Sequence, residues 1–178
     1  MVKILALTLS LAAALLVSCE EVTGPAELGA DFWPLALDNS WTYRDTFGDL
    51  AEVTITDEEG GWYCWDEGVA RLALRCTENT CHRQPTWPPP NNPHYTVVLL
   101  KAPLEEGATW PLYADGTGEA TLARADFTYQ TPDGDYEHCY RVELESTWEV
   151  YARGIGLVAE GVGDIETRHL VEYAFGGR

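Results

Sequence analysis

Apolar and polar residues alternate with a period of two along most of the chain after residue 19. Tyr140, Val142 and Leu144, for example, are separated by charged residues, which is typical of a strand with one buried and one solvated face. No long segment in this region shows the 3.6-residue period of an amphipathic helix. The pattern predicts roughly nine to eleven antiparallel strands, in segments 41–47, 51–56, 62–65, 70–76, 95–100, 110–113, 119–130, 136–151, 155–160 and 165–175.

Turn-forming dipeptides separate these segments at short intervals. Gly60-Gly61, Asp115-Gly116 and Asp133-Gly134 each fall between two predicted strands, and Gly and Asp are favoured in hairpin turns. Short strands broken this often indicate a single all-β domain, either a sandwich or a barrel-like sheet. Segment 84–93 differs, because five of its ten residues are proline. It is expected to be an extended surface connection, with a rim over a binding face as the alternative.

The first nineteen residues have a different pattern. Lys3 precedes a predominantly apolar run at residues 4–17, which is short for a membrane span and suits the central region of a signal peptide. The run ends in Leu16-Val17-Ser18-Cys19, which resembles a bacterial lipobox. The resemblance implies diacylglyceryl transfer to the Cys19 thiol, cleavage before Cys19 and acylation of the new amine. The alternative is an ordinary cleaved signal peptide beside a chance cysteine.

This interpretation divides the chain into a signal peptide at 1–18, a lipidated flexible tether at 19–31 and an all-β domain at 32–178. The tether is small and polar and contains Gly24-Pro25. The lipid would anchor the protein to a membrane of the bacterial cell envelope. Glu20, rather than Asp, follows Cys19. By analogy with the sorting rule of bacteria with two membranes, this favours the outer membrane facing the periplasm, with the cell surface as the alternative.

The net charge narrows the range of partners. The chain carries 11 Lys and Arg against 29 Asp and Glu, a formal charge of −18. Residues 1–18 hold one lysine and no acid, so the chain without them has a charge of −19. Such a polyanion attracts neither nucleic-acid phosphates nor an anionic membrane face. No nucleic-acid partner is expected, and the membrane is reached through the lipid.

Four cysteines are left if Cys19 carries lipid, namely Cys64, Cys76, Cys81 and Cys139. An even number in an exported chain favours two disulfides over free thiols. Three connectivities are possible, and we favour Cys76–Cys81 together with Cys64–Cys139. A thiolate metal site at Cys76, Cys81 and His82 is the alternative, which an oxidising compartment disfavours. We expect no metal or other cofactor. The Asp-Gly turns resemble fragments of Ca²⁺ loops, but hairpin chemistry explains them as well.

Two segments of the chain echo each other. Pro34-Leu35, a polar turn and Trp41 recur as Pro103-Leu104, a polar turn and Trp110, and a GIGLV sequence follows at residues 154–158. Together these pieces resemble a group of uncharacterised secreted bacterial β-rich lipoproteins, in which a Pro-Leu–turn–Trp opening and a GxGLV strand recur. The resemblance implies the β fold and the envelope compartment but no reaction. The echo also suggests two structurally similar halves.

No catalytic motif occurs in the sequence: the nucleophile elbow, the P-loop and His-Glu-x-x-His are all absent. We therefore expect a non-enzymatic protein with a structural or binding role in the envelope. His169 alternates with apolar residues in the last segment and is expected to be a hydrogen-bonded histidine at the margin of the core, with a ligand role as the alternative.

The remaining candidate chemistry is aromatic. Seven Trp and nine Tyr are many for a chain of this length. Trp62, Trp65 and Trp87 are the candidates for facing a ligand, with core filling as the alternative. Exposed rings would stack on a glycan or close over an apolar ligand, and an envelope protein is a further candidate partner. The sequence predicts no particular oligomeric state.

Overall fold

Twelve strands follow one another in a computed structural model that describes residues 28–29, 32–90 and 92–176. One turn of 3-10 helix, Pro93–Tyr95, precedes the sixth strand. The strands are β1 (Ser40–Asp45), β2 (Leu50–Glu59), β3 (Trp62–Asp66), β4 (Arg71–Cys76), β5 (Thr80–Gln84), β6 (Val97–Lys101), β7 (Thr109–Trp110), β8 (Ala120–Thr131), β9 (Gly134–Leu144), β10 (Thr147–Ala152), β11 (Gly156–Val162) and β12 (Ile165–Ala174). The predicted all-β class is confirmed.

The strands form one antiparallel sheet that is nearly closed into a barrel. Each strand pairs with the next along the chain, except β6 with β7, and β1 pairs with β12. The two edges of the sheet, β6 and β7, approach each other at a bridge between Val97 and Tyr113. Beside it, the Val98 N–H donates to the Leu112 carbonyl at 2.7 Å. The barrel-like alternative is therefore the one observed, and closure covers edges that would otherwise pair with other chains.

The strand count exceeds the predicted nine to eleven for two physical reasons. β5 has the sequence TCHRQ, in which polar side chains on both faces hide the period of two. The predicted segment 136–151 contains two strands, β9 and β10, because the chain turns at Glu145-Ser146. Glu145 has a φ of 58°, and no Gly, Pro or Asp announces this turn.

The turns of the barrel lie alternately at its two ends, because each antiparallel connection reverses the chain. Turns after odd-numbered strands lie at one end, here called the mouth, and turns after even-numbered strands lie at the closed end, except the β8–β9 turn, which bends back over the outside of the barrel. Residues 32–35, here called the plug, occupy the closed end. The Gly154 N–H of the β10–β11 turn donates to the Phe32 carbonyl at 2.8 Å. Leu28 is buried and donates to Glu78 of the β4–β5 turn, so packed residues extend into the stretch predicted as tether.

Aromatic rings fill the interior beside the plug. Trp33 of the plug has its ring centroid 5.5 Å from those of Trp65 and Tyr151, and Trp41 lies 4.9 Å from Trp65. All four side chains are buried. The Trp41 indole N–H donates to a backbone carbonyl at 2.8 Å, so its polar atom is satisfied. Gly156 provides the space for Trp33, because a Cβ at this position would overlap the indole ring.

The longest hairpin, β8–β9, folds over the outside of the barrel. Its pairing shifts register near Asp126 and His138, which have positive φ angles of 48° and 52°, and such bulges bend a ladder. Beyond the bend, the Tyr136 hydroxyl donates to the Leu170 carbonyl of β12 at 2.8 Å. Burial raises the pKa of Tyr136 to about 12, so the hydroxyl keeps its proton as a donor.

His169 fastens this hairpin to β12. Its side chain is 9% exposed, with Nδ1 2.8 Å from Glu166 and Nε2 2.9 Å from Asp133 in the hairpin turn. Both ring nitrogens therefore lie within hydrogen-bonding distance of a carboxylate oxygen. The hydrogen bonds from His169 and then Arg44 lower the pKa of Asp133. The prediction of a hydrogen-bonded histidine at the margin of the core is confirmed.

The cysteines pair only in part as predicted. Cys76 and Cys81 form the expected disulfide across the β4–β5 hairpin. The expected Cys64–Cys139 disulfide is wrong, because both residues are free and buried. Cys64 lies in β3 and Cys139 in β9, and five strands separate β3 from β9 in the order of the sheet. Burial raises the pKa of the Cys139 thiol to about 11, which keeps it protonated and unreactive.

We expect Gly156→Ala to destabilise the fold by about 3 kcal/mol, because the new methyl group would overlap Trp33 and the residue has a φ of 95°. Gly163→Ala is the matched control. Its φ is 57°, but nothing lies within 4 Å of the added Cβ, so a loss of about 1 kcal/mol is expected. Urea unfolding of both variants measures the difference. Equal losses would show that the contact between Gly156 and Trp33 adds nothing to stability.

Candidate functional site

The three tryptophans predicted to face a ligand do not share one surface. Trp65 is 2% exposed and belongs to the aromatic interior, where its indole N–H donates to Glu67 at 3.1 Å. Trp62 lies on the same strand, but a spacing of three residues puts it on the opposite, outer face. Trp87 is half-buried in the proline-rich segment and does not line the cleft that Trp62 lines.

A cleft of about 380 Å³ lies between the outer face of β3–β5 and the proline-rich segment. We name it the Trp62 cleft, and it is lined by Trp62, Arg75, Gln84, Pro89, Pro90, Asn92 and Thr96. The strand register explains this set. Cys64 pairs with Ala73, and Ala73 pairs with Gln84. Trp62 lies two positions before Cys64, and Arg75 lies two positions after Ala73. Trp62 and Arg75 therefore lie opposite each other on the same face as Gln84.

Gln84 lines the cleft although only 5% of its surface is exposed. Its Nε2 donates to the Thr96 hydroxyl at 2.7 Å. Its Oε1 is buried and has no hydrogen-bond partner among the residues that the structure describes. Leaving a buried acceptor unpaired costs about 1–3 kcal/mol. A ligand that donates a hydrogen bond to this oxygen would remove the cost.

Arg75 gives the Trp62 cleft a positive charge. Its guanidinium carbon lies 5.9 Å from the centroid of the Trp62 ring, and its side chain is exposed. Within the described part of the chain, Arg75 has no salt bridge to a carboxylate. Burial, and then the charge of Arg75, lowers the pKa of its cross-strand neighbour His82. His82 is therefore neutral at pH 7, and among the described residues the lining of the cleft contains a cation and no carboxylate.

A second cavity, of about 310 Å³, opens at the mouth of the barrel. Its charged lining residues, here called the charged mouth, are Glu67, Arg83, Glu149, Glu160 and Arg168. Arg83 pairs with Glu149 across the barrel at 2.9 Å. Arg168 pairs with Glu67 and with Glu160, each at 3.0 Å. These pairs connect β5 to β10, and β12 to β11 and to the β3–β4 turn.

The charges of this cavity are neutralised largely by one another. Glu149 is 4% exposed and also accepts a hydrogen bond from the Tyr151 hydroxyl. Its carboxylate raises the pKa of Arg83 above the ordinary value. Burial raises the pKa of Glu160, although Arg168 opposes that shift. Because both arginines are engaged by the protein's own carboxylates, the arrangement suits a structural network better than a ligand site.

The Asp-Gly turns that resemble fragments of Ca²⁺ loops have protein partners. Asp133 pairs with Arg44 at 3.1 Å as well as with His169. Asp115 accepts hydrogen bonds from the backbone and the hydroxyl of Thr117 at 3.0 and 2.7 Å. In the described ranges, no group of three His, Cys, Asp or Glu side chains is placed to hold a metal ion. No helix in those ranges is long and apolar enough to cross a membrane.

No family model, curated protein or solved structure matches this chain. Of the residues that line the Trp62 cleft, Trp62 was predicted from the sequence, whereas Gln84 and Arg75 were not. Gln84 is the last residue of β5, and the register of β5 is what places it on the face of Trp62 and Arg75. Because β5 is polar on both faces, the sequence pattern does not indicate which of its residues face Trp62.

Arg83→Gln should destabilise the protein by about 3 kcal/mol, because it leaves the Glu149 carboxylate buried without its cationic partner. Arg71→Gln is the matched control. Arg71 pairs with Asp66 at the surface, with 47% of its side chain exposed, so its loss should cost about 0.5 kcal/mol. Urea and thermal unfolding of both variants measure the two costs. Similar losses would contradict a structural role for the charged mouth.

Proposed function

We propose that this protein is a lipid-anchored, non-enzymatic binding protein of the bacterial cell envelope, and that it binds a carbohydrate in the Trp62 cleft. The observation that carries the proposal is the buried Oε1 of Gln84. Gln84 lines a cleft beside a half-buried indole, and its Oε1 has no hydrogen-bond partner among the described residues. A sugar supplies a hydroxyl donor for Gln84 and a C–H face for the Trp62 ring.

The rest of the lining suits a ligand with many hydroxyl groups. Asn92 and Arg75 add further polar atoms to the cleft. Pro89 and Pro90 add a wall whose backbone is stiffened by the proline rings. A few placed polar groups around an apolar surface are what fix the orientation of a small ligand.

An apolar carrier, the alternative function, has less support. A carrier needs an empty apolar cavity, whereas the interior of the barrel holds Trp33, Trp41, Trp65 and Tyr151 at close ring separations. The cavity at the mouth is lined by charged side chains. A structural envelope protein without a small ligand is the competing function, and it predicts no saccharide binding.

The lipid anchor is proposed on the lipobox motif alone, because Cys19 and the signal segment lie outside the described residues. The location is proposed on the same ground. We propose the outer membrane facing the periplasm, with the cell surface as the alternative.

Metabolic labelling with palmitate in a bacterial host should mark the wild-type protein but not Cys19→Ala, because Cys19 is the proposed site of the diacylglyceryl group. Cys64→Ala is the matched control, since it removes a buried thiol of the domain and should keep the label. Cell fractionation should place the wild type with the membranes and Cys19→Ala in the soluble fraction. Label retained by Cys19→Ala would refute the anchor and leave the cleft unaffected.

Trp62→Ala should weaken saccharide binding about tenfold, because it removes a stacking surface worth roughly 1.4 kcal/mol. Tyr173→Ala is the matched control, since Tyr173 is a 41% exposed aromatic residue on β12 outside the cleft. Its affinity should equal that of the wild type. A glycan array identifies the saccharide, and calorimetry measures the affinities. If the wild type binds no saccharide, the proposed carbohydrate-binding function is wrong.

A further inference from the structure

The charge of the Trp62 cleft is opposite in sign to that of the molecule. The chain has 29 acidic and 11 basic residues. In the part of the chain that the structure describes, the lining of the cleft nevertheless contains Arg75 and neither Asp nor Glu. A positive charge in the cleft is not needed to bind a neutral sugar. It therefore indicates that the ligand is charged.

Arg75 is also available to bind. Its neighbours on the same sheet are engaged, Arg71 with Asp66 at 3.2 Å and Arg83 with Glu149 at 2.9 Å. Arg75 instead lies over the Trp62 ring, without a salt bridge to any carboxylate in the described residues. A guanidinium group matches a carboxylate through two parallel hydrogen bonds. A ligand carboxylate is therefore the natural partner for this side chain.

We infer that the carbohydrate bound in the Trp62 cleft is an acidic saccharide, whose uronic acid carboxylate pairs with Arg75 while its ring stacks on Trp62. The inference rests on the proposed function and names its ligand class. Arg75 can only donate hydrogen bonds, and the free Oε1 of Gln84 can only accept them. The carboxylate therefore faces Arg75, and a hydroxyl of the sugar faces Gln84.

The net charge of the protein sets the conditions for this recognition. Long-range repulsion opposes the approach of an acidic ligand to a chain with a formal charge of −18. At 0.15 M salt the screening length is about 8 Å, so distant carboxylates are screened while the contact pair with Arg75 persists.

Calorimetry with the full-length chain, expressed in a bacterial host and purified in detergent, tests the inference. The probes are short oligomers of galacturonic, glucuronic and mannuronic acid, together with the methyl esters of the same oligomers. The esters keep the rings and hydroxyl groups but lose the charge. At 0.15 M salt, the wild type should bind at least one acid about tenfold more tightly than its ester. Arg75→Gln should lose that preference, so that the acid and its ester bind with equal affinity.

Arg124→Gln is the matched control. Arg124 is also exposed and also lies over an aromatic ring, with its guanidinium carbon 4.0 Å from the Phe127 centroid, but it belongs to β8 and not to the cleft. This variant should keep the full preference for the acid. Circular dichroism of each variant establishes that it is folded.

The outcomes separate the two proposals. Equal affinity of the wild type for acid and ester, binding of neutral glycans alone, or an unchanged preference in Arg75→Gln would overturn the acidic-ligand inference and leave carbohydrate binding in place. If the wild type binds no saccharide, whether acidic or neutral, both the acidic-ligand inference and the carbohydrate-binding function are overturned. Competition against a bound oligomer by glycans extracted from the envelope, compared with polysaccharide from the culture medium, distinguishes the two sources of the ligand.

Discussion

The packing of the Trp33 indole against Gly156 is the contact on which the barrel most depends. An eight-stranded barrel is just wide enough for side chains to fill, and twelve strands enclose more space than that. Trp33 supplies part of the missing volume from a segment outside the sheet, and it contacts β3 through Trp65 and β10 through Tyr151. Gly156 must lack a Cβ for this to happen. Towards the mouth, ion pairs take the place of aromatic packing, so the interior changes from apolar to ionic along its length.

The fold class was predictable from the period of two, because most strands bury one face more than the other. The echo of Pro-Leu, turn and tryptophan was also informative. Each copy leads into the first strand of a six-stranded half of the sheet, β1–β6 or β7–β12, and its tryptophan, Trp41 in β1 or Trp110 in β7, is buried. The pattern does not predict a strand that has polar residues on both its inner and its outer face. β5 is polar because Arg83 reaches inward to Glu149 while Gln84 lies under the proline-rich segment.

The candidate site was predictable only where a single residue type carried the signal. Trp62 stood out as an aromatic, but its separation from Trp65 becomes meaningful only once closure of the sheet defines an inside. Gln84 and Arg75 are ordinary polar residues in the sequence, and strand register makes them neighbours. The even number of cysteines suggested two disulfides. The sheet pairs the two that face each other across a hairpin and leaves Cys64 and Cys139 on distant strands.

The entry of the chain through the plug has a mechanical consequence. Tension along the residues before Leu28 acts first on the plug, because Leu28 and Phe32 are hydrogen-bonded to turns at the closed end. Pulling Trp33 out would leave a cavity beside Trp65 and Tyr151 before any strand separates from its neighbour, so the rate of that extraction would govern resistance to force. The load also reaches the β4–β5 turn through Leu28, but the Cys76–Cys81 disulfide holds the two strands of that hairpin together. A barrel pulled through the residues before Leu28 would therefore lose its core packing while the Trp62 cleft is still formed.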